Sequence, residues 1–345
     1  MDFGLIFSLQ VPPNSGIPWQ EPYKDMLDCL PRAEELGYTS SYQVSHHAQK
    51  DGLCPSPLVA CGGAAAVTKT MRIGTGVLLV PLYAPLKLAE DVVVIDNLSN
   101  GRFVFGVAPG YVASEFEAHG IPRDERIGRF EEALDLMTTA WTHETFSFEG
   151  KYFQIPETRL TPRPVQNPHP PIWYGVSAAA SLRRAARRHA VQIMSPRHGP
   201  EELLEHFIPY EAEAKKIGWK IPERPVMRTV FVAETKEKAE AIAGPALNYL
   251  FTELYGAASA AGDRVLKSAD GSIITEKNQV SFETFKNRYI IGDPDFAIEQ
   301  LSIYEKAVQP SEVSCWMHLP GIKGIEAMAS VELFAKEVMP HFKSS

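Results

Sequence analysis

The sequence has too little positive charge, too few cysteines and no apolar run long enough for several large classes of protein. With 34 Lys and Arg against 42 Asp and Glu, its formal net charge is −8. That is the wrong sign for a general nucleic-acid binder, which must neutralise phosphates with a positive field. Cys29, Cys54, Cys61 and Cys315 show no C-x-x-C spacing, so neither a zinc knuckle nor a disulfide framework is indicated, and reduced, buried thiols are expected. No segment approaches the length of a bilayer span. The start, MDFGLIFSLQVPPNSG, has no Lys or Arg before its apolar run and reaches Pro-Pro too early for a secretory leader. The expectation is a cytoplasmic protein with no nucleic acid and no membrane among its partners. Also missing are a G-x-G-x-x-G after the first strand, a Ser-His-Asp set, paired catalytic acids and a metal-ligand pattern. Hydrolysis and a resident nicotinamide cofactor are poorly supported.

What is present is alternation. The runs DFGLIFSL, YTSSYQV, MRIGTGVLLV, GRFVFGV, PIWYGVS, AVQIM, VMRTVFVA and EVSCWMHL read as strands, and helix-like runs separate them. The strands are short and apolar throughout, which marks strands buried on both faces. One helix is begun by Ser56 and Pro57, Ser offering a capping oxygen and Pro tolerating the first helical position; another is closed by Gly37. Eight strands, each followed by a helix, in 345 residues make an α/β fold of the (β/α)8 TIM-barrel type the leading expectation, as one domain over 1–345. A doubly wound open sheet is the runner-up, since alternation does not reveal closure. TFSFEGKYFQI reads as a β-hairpin inserted after the fourth βα unit. The segment 255–280, after strand seven and its helix, reads as a long mobile loop.

In a barrel the chemistry gathers at the carboxyl ends of the strands. Those ends read Phe7-Ser8, QVSHHAQ, GTGVLL, GVAPGY, YGVS, IMSPRHG and WMHLPG. Carboxylates are almost absent from them. His46 and His47 are adjacent, so on an extended chain they point apart and one faces the pocket; His318 is a weaker candidate. Gly74, Gly76, Gly106, Gly110 and Gly175 crowd the same mouth, which suits a flat ligand pressed against backbone. The basic run RRAARRH reads as a solvated helix flank, and NPHPPIWYG as a stiff extended approach to a strand.

The stretch MRIGTGVLLVPLYAPLKLAEDVVVIDNLSNGRFVFGVAPGY, followed in order by EFEAHGIPRDERIGRFEEALDLMTTAW, FEGKYFQI, TPRPVQNPHPPIWYGVS, IIGDPD and SVELFAKEVMPHF, resembles the bacterial luciferase-like family of flavin-dependent monooxygenases. The resemblance covers almost the whole chain. It implies a non-prolyl cis peptide at Gly76-Val77 against the flavin, a pocket histidine at His46, and the turn Ala108-Pro109-Gly110-Tyr111 beside the ring and its ribityl chain. Many relatives place a phosphate-binding Arg where this chain has Pro109. Pro offers neither charge nor N–H, so the phosphate would fall to Ser177 at a helix start, with Gly175 and Val176 before it, and to Arg126, Arg129 or Arg197 as charge partners.

The resemblance further implies reduced FMN delivered by a separate flavin reductase, O2 adding at flavin C4a, and the resulting peroxide oxidising an organic substrate. Phe7, Tyr111, Met194 and Trp316 would keep that mouth dry, Ser195 would follow Met194 in the cofactor wall, His46 would control protonation, and the loop 255–280 would close as a lid. Relatives pair through the helices after strands two and three, where LVACGGAAAV supplies small residues, so a homodimer is expected. Two alternatives stay open: a reduced-deazaflavin oxidoreductase on the same barrel, and a non-catalytic flavin-binding partner subunit.

Overall fold

The computed structural model describes residues 1–194, 196, 198–250, 252–253, 266–267, 273–274, 282 and 288–342. The strands in chain order are β1 (Asp2–Phe7), β2 (Ser40–Gln43), β3 (Arg72–Thr75), β4 (Leu78–Leu79), β5 (Phe103–Ala108), β6 (Phe146–Glu149), β7 (Gln154–Thr158), β8 (Ile172–Gly175), β9 (Val191–Ile193), β10 (Pro225–Val232), β11 (Leu266–Lys267), β12 (Ile273–Ile274), β13 (Ile290–Gly292) and β14 (Glu312–His318). The helices are α1 (Glu21–Leu36), α2 (Pro57–Val67), α3 (Pro85–Leu98), α4 (Ala113–Ala118), α5 (Arg126–Thr142), α6 (Ala179–Arg187), α7 (Pro200–Lys216), α8 (Lys236–Leu250), α9 (Pro294–Val308) and α10 (Gly324–Leu333). The main sheet is parallel and curls in the order β13-β10-β14-β1-β2-β3-β5-β8-β9, with β4 on β5. At its seam β9 comes alongside β10, which makes the α/β barrel that the alternation predicts. Two antiparallel pairs stand apart: β6 with β7, after α5, and β11 with β12. Apart from that second pair, the loop expected over 255–280 lies outside the described residues.

Side-chain parity explains the two apolar faces. Ile6, Val104, Trp173, Met227 and Trp316 pack inside the barrel, whereas their neighbours Leu5, Phe7, Phe103, Phe105, Tyr174, Val226 and Cys315 face the helix layer. Successive strand residues point to opposite sides, so most strand positions in both layers are apolar and polar alternation survives at the floor of the barrel, where Glu312 and Ser314 alternate with Val313 and Cys315. The four cysteines are buried and unpaired. Among the described residues no helix is long and apolar enough to cross a membrane.

Three local expectations need correction. The third strand is broken, because β3 and β4 are separated by the cis Gly76-Val77 peptide. A further strand, β13, pairs with the end of β10 through Val230–Val232; at three residues it is too short to show a period. Ser56 does precede α2, but its side chain makes no capping bond; Pro57 at the first position leaves one fewer N–H to satisfy. Gly37 closes α1 as expected, with φ of 93° and its N–H on Ala33 O and Glu34 O.

The floor of the barrel carries a polar cluster. Ser40 and Ser314 each donate to Glu312 Oε1 at 2.7 Å, and Arg72 pairs with Glu223 at 2.7 Å while lying over the Trp173 ring. Burial pushes the Glu312 carboxyl above its usual range, against the two hydroxyls that pull it down. The folded state therefore favours the protonated acid. Its contribution is complete below the ordinary carboxylate pKa and is lost as pH rises through the raised value. Glu312→Gln cannot ionise. The variant and wild type are expected to melt alike near about pH 4 and to diverge above it, the variant becoming the more stable; a difference in Tm that does not grow with pH would refute this.

Candidate active site

At the carboxyl ends of the strands lies a cavity of about 490 Å³, within the ordinary range for small-molecule sites. Its apolar wall comes from Ile6, Val44, Leu53, Leu79, Met194, Met227 and Trp316. Backbone supplies much of the rest, through Gly76-Val77, the turn Ala108-Pro109-Gly110 and the Gly175-Val176 pair. Two glycines make this arrangement possible. Gly110 has φ of 75°, which an L side chain resists, and a Cβ there would come within 3.0 Å of the Phe116 ring. At Gly106 a Cβ would sit 1.9 Å from Thr75 O, so only glycine lets β5 pass the end of β3.

Part of the cavity wall carries hydrogen-bond donors. Ser177, Ala178 and Ser181 line it, and α6 begins there with no side-chain cap, leaving its first N–H groups without intrahelical partners. Arg126 lines the same cavity, one of its guanidinium nitrogens donating to Arg123 O at 3.0 Å. A largely apolar cavity with main-chain walls and hydrogen-bond donors at the start of α6 suits a flavin or deazaflavin cofactor.

The mouth also holds a hydrogen-bonded histidine–carboxylate pair. His46 Nδ1 lies 2.8 Å from Glu115 Oε1, and the His47 main-chain N–H donates to the same oxygen at 2.7 Å. Glu115 is 0% exposed, and its Oε2 has no partner among the described residues. A carboxylate on Nδ1 sets the tautomer and leaves Nε2 for the cavity. The His46 ring stands edge-on to Tyr111, centroids 5.9 Å apart. His47 turns away, between Tyr83 and His119; burial, more than the charge of Glu115, decides its pKa, which is lowered. Burial also lifts the Cys54 thiol to about 12, so this cysteine in the loop after β2 is no thiolate nucleophile.

Most of the residues expected at the site meet here: His46, Gly76, Val77, Ala108, Pro109, Gly110, Tyr111, Arg126, Gly175, Val176, Ser177, Met194 and Trp316 all line one cavity. Phe7 does not. It faces the helix layer, beside His318, in a separate cavity of about 360 Å³ between the barrel and helices α1 and α10. Ile6 takes its place at the mouth. His318 accordingly faces Asp25, at 3.4 Å, and not the larger cavity. Arg129 turns to the hairpin, pairing with Glu125 at 2.8 Å and covering the Tyr152 ring. Ser195 and Arg197 lie outside the described residues. In the run RRAARRH, Arg184 and Arg188 pair with Glu131 and Arg187 with Glu213. Sequence reading missed Glu115, and it did not single out His198, which also lines the cavity. Glu115 is the partner of His46. It lies past the strand end on a short helix, within the quoted stretch EFEAHGIP, and only the fold brings it to His46.

Comparisons with known proteins agree with this geometry. The family profile described as luciferase-like monooxygenase matches residues 1–309. The oxygenase component of the flavin-dependent trigonelline monooxygenase of Acinetobacter baylyi is 28% identical over 334 residues, 94% of this chain and 91% of that protein. Among solved structures, monooxygenase RslO1 from Streptomyces bottropensis has a TM-score of 0.86 at 25% identity, over 99% of this chain and 100% of its own. Two more distant structures share the fold. The oxygenating constituent of 3,6-diketocamphane monooxygenase from Pseudomonas putida, solved with FMN, has a TM-score of 0.81 at 23% identity, covering 100% of this chain and 99% of that one. An F420-dependent secondary alcohol dehydrogenase has 0.76 at 17%, covering 99% of each. With a barrel whose cavity meets a non-prolyl cis peptide and the half-buried His46 on buried Glu115, and with a profile match over most of its length, the chain belongs to the luciferase-like monooxygenase family.

Proposed function

We propose that this chain is the oxygenase component of a two-component flavin-dependent monooxygenase. It would take reduced FMN from a separate reductase and use O2 to oxidise a small or long-chain organic substrate. The observation that carries the reading is the His46–Glu115 pair set at the mouth of a largely apolar cavity that has an anion-binding end. When bound, reduced FMN supplies the electrons that activate O2. The chain's own residues bind, orient and exclude water. Gly76-Val77, Ala108 and Gly110 offer main-chain contact to a planar ring; the start of α6, Ser177 and Arg126 offer donors to a phosphate. Leu53, Met227 and Trp316 keep the reacting region dry. His46 gives and takes a proton at Nε2, and Glu115 holds its ring for that exchange. The F420-dependent enzyme of the same fold keeps a deazaflavin, transferring hydride without O2, as the second reading. Anaerobic titration with reduced FMN, followed by mixing with oxygenated buffer, separates the two: the first reading expects bound flavin to consume O2, and failure to bind reduced FMN would reject it.

His46→Ala is expected to lower turnover by about 10²–10⁴-fold while FMN affinity changes only a few-fold. Glu115→Gln keeps shape and loses charge, so it should lower turnover less and displace the pH–rate profile. Should affinity, Tm and rate fall in proportion in both variants, the pair is structural and the catalytic assignment is lost.

Pro109 supplies no donor beside the ring, so phosphate contacts contribute less than ring contacts and reduced FMN should bind more tightly than oxidised. Pro109→Arg is expected to tighten FMN binding in a salt-dependent way. Unchanged affinity would place the phosphate elsewhere.

A homodimer through α2 and α3 completes the proposal. Ala60, Cys61, Ala64 and Ala65 of α2 face inward, but Val59 is 74% exposed, nothing crowds Gly62, and Val94 and Leu98 are exposed on α3. Light scattering at micromolar concentration should give a dimer, and Val59→Glu a monomer with unchanged Tm. A wild-type monomer would reject the interface.

A further inference from the structure

The loop that carries His46 is fastened by a carboxylate with no part in the chemistry above. Asp51 is 6% exposed and accepts three hydrogen bonds. Gln10 Nε2 donates to its Oδ2 at 2.7 Å and the Tyr249 hydroxyl to the same oxygen at 2.9 Å, while the Leu53 N–H reaches Oδ1 at 3.3 Å. Its own carbonyl accepts from Val11 N–H at 2.9 Å. The donors come from the segment after β1, the last turn of α8 and the His46 loop itself. Leu53 completes the connection: its carbonyl accepts the His46 N–H at 3.1 Å, and its side chain lines the cavity.

We propose that Asp51 is the positioning residue for His46, holding the loop 45–53 against the segment after β1 and against α8 so that the imidazole meets Glu115 and the cavity. The proposal rests on the catalytic reading of His46. A buried carboxylate surrounded by neutral donors is costly, and what it offers in return is two acceptor oxygens facing opposite ways. Asparagine has one. To keep its oxygen on Leu53 N–H, asparagine must turn its NH2 toward Gln10 and Tyr249, which the Gln10 amide can meet only by flipping its own oxygen, buried and unpartnered here, and the Tyr249 hydroxyl only by accepting; the carboxylate acceptor is lost and the anchor weakens. Glu115 fixes the ring from the side of β5; Asp51 fixes the backbone beneath it.

Amide hydrogen exchange on the protein without cofactor tests this independently of turnover. In Asp51→Asn, protection at His46 and Leu53 is expected to fall about tenfold or more, with β5 unaffected. Unchanged protection at His46, or a loss spread evenly over the barrel, overturns the proposal. Tyr249→Phe removes a single donor and keeps the ring, so it should show a smaller loss at the same amides even where Asp51→Asn folds poorly; no loss there overturns it too. The second arm uses reduced FMN and oxygenated buffer. Asp51→Asn is expected to shift the reoxidation rate of bound flavin about tenfold, in the same direction as His46→Ala. In the His46→Ala background the same change should alter that rate by less than about twofold, the positioned group being gone. Equal shifts in both backgrounds refute positioning. If His46→Ala reoxidises flavin like wild type, the catalytic reading fails, and hydrogen exchange alone decides the role of Asp51.

Discussion

The mouth of this barrel depends on one buried oxygen. Glu115 Oε1 meets both the His46 ring and the His47 main-chain N–H, joining the short helix after β5 to the loop after β2. A carboxylate removed from water is expensive unless charge-assisted hydrogen bonds compensate, and here two donors from adjacent residues converge on it. The pair dictates which histidine faces inward. With Nδ1 of His46 and the N–H of His47 pointed at one acceptor, the His47 side chain must leave on the other side, where it packs between Tyr83 and His119 and burial lowers its pKa. Two neighbouring residues of one type thus acquire different chemistry from geometry alone.

The rest of the cavity is built to interfere little with that pair. Its wall is chiefly aliphatic, aromatic and main-chain, so few acids or bases compete with the pair. The glycines serve the same end by removing side chains where strands and turn approach closely: Gly106 against Thr75 O, Gly110 against Phe116. Low polarity also strengthens what electrostatics remain, since a charge in a dry cleft is poorly screened.

The architecture was legible in the sequence because it is written in short apolar runs and their spacing; of the strand-end glycines, Gly76, Gly110 and Gly175 line the cavity, whereas Gly74 and Gly106 serve close strand approach instead. Orientation was not legible. Strands buried on both faces lose the polar alternation that reports parity, so nothing in DFGLIF tells that Ile6 points inward and Phe7 outward, and the same ambiguity attached His318 to the wrong cavity. Arg129 and Arg126 are three residues apart on α5, yet one turns to Tyr152 and the other to the cavity, a choice made by the hairpin packed nearby. Glu115 escaped notice because its contact spans 69 positions and no local pattern encodes such a partner.

Charge around the anion-binding end follows from the same packing. The run of arginines on α6 looks like a strong positive supplement to that helix, but Arg184, Arg187 and Arg188 are spent on Glu131 and Glu213, stitching α6 to α5 and α7. Among the described residues, what remains for a phosphate in the proposed function is the N–H groups at the start of α6, two serines and Arg126, with Pro109 where a charged side chain would add most. On that reading such an end would attract an anion without trapping it. For a protein that, in the proposed function, receives its cofactor from another protein and must give it back oxidised, this is the useful regime: affinity concentrated in ring contacts, which change with redox state, and kept low at the phosphate, which does not.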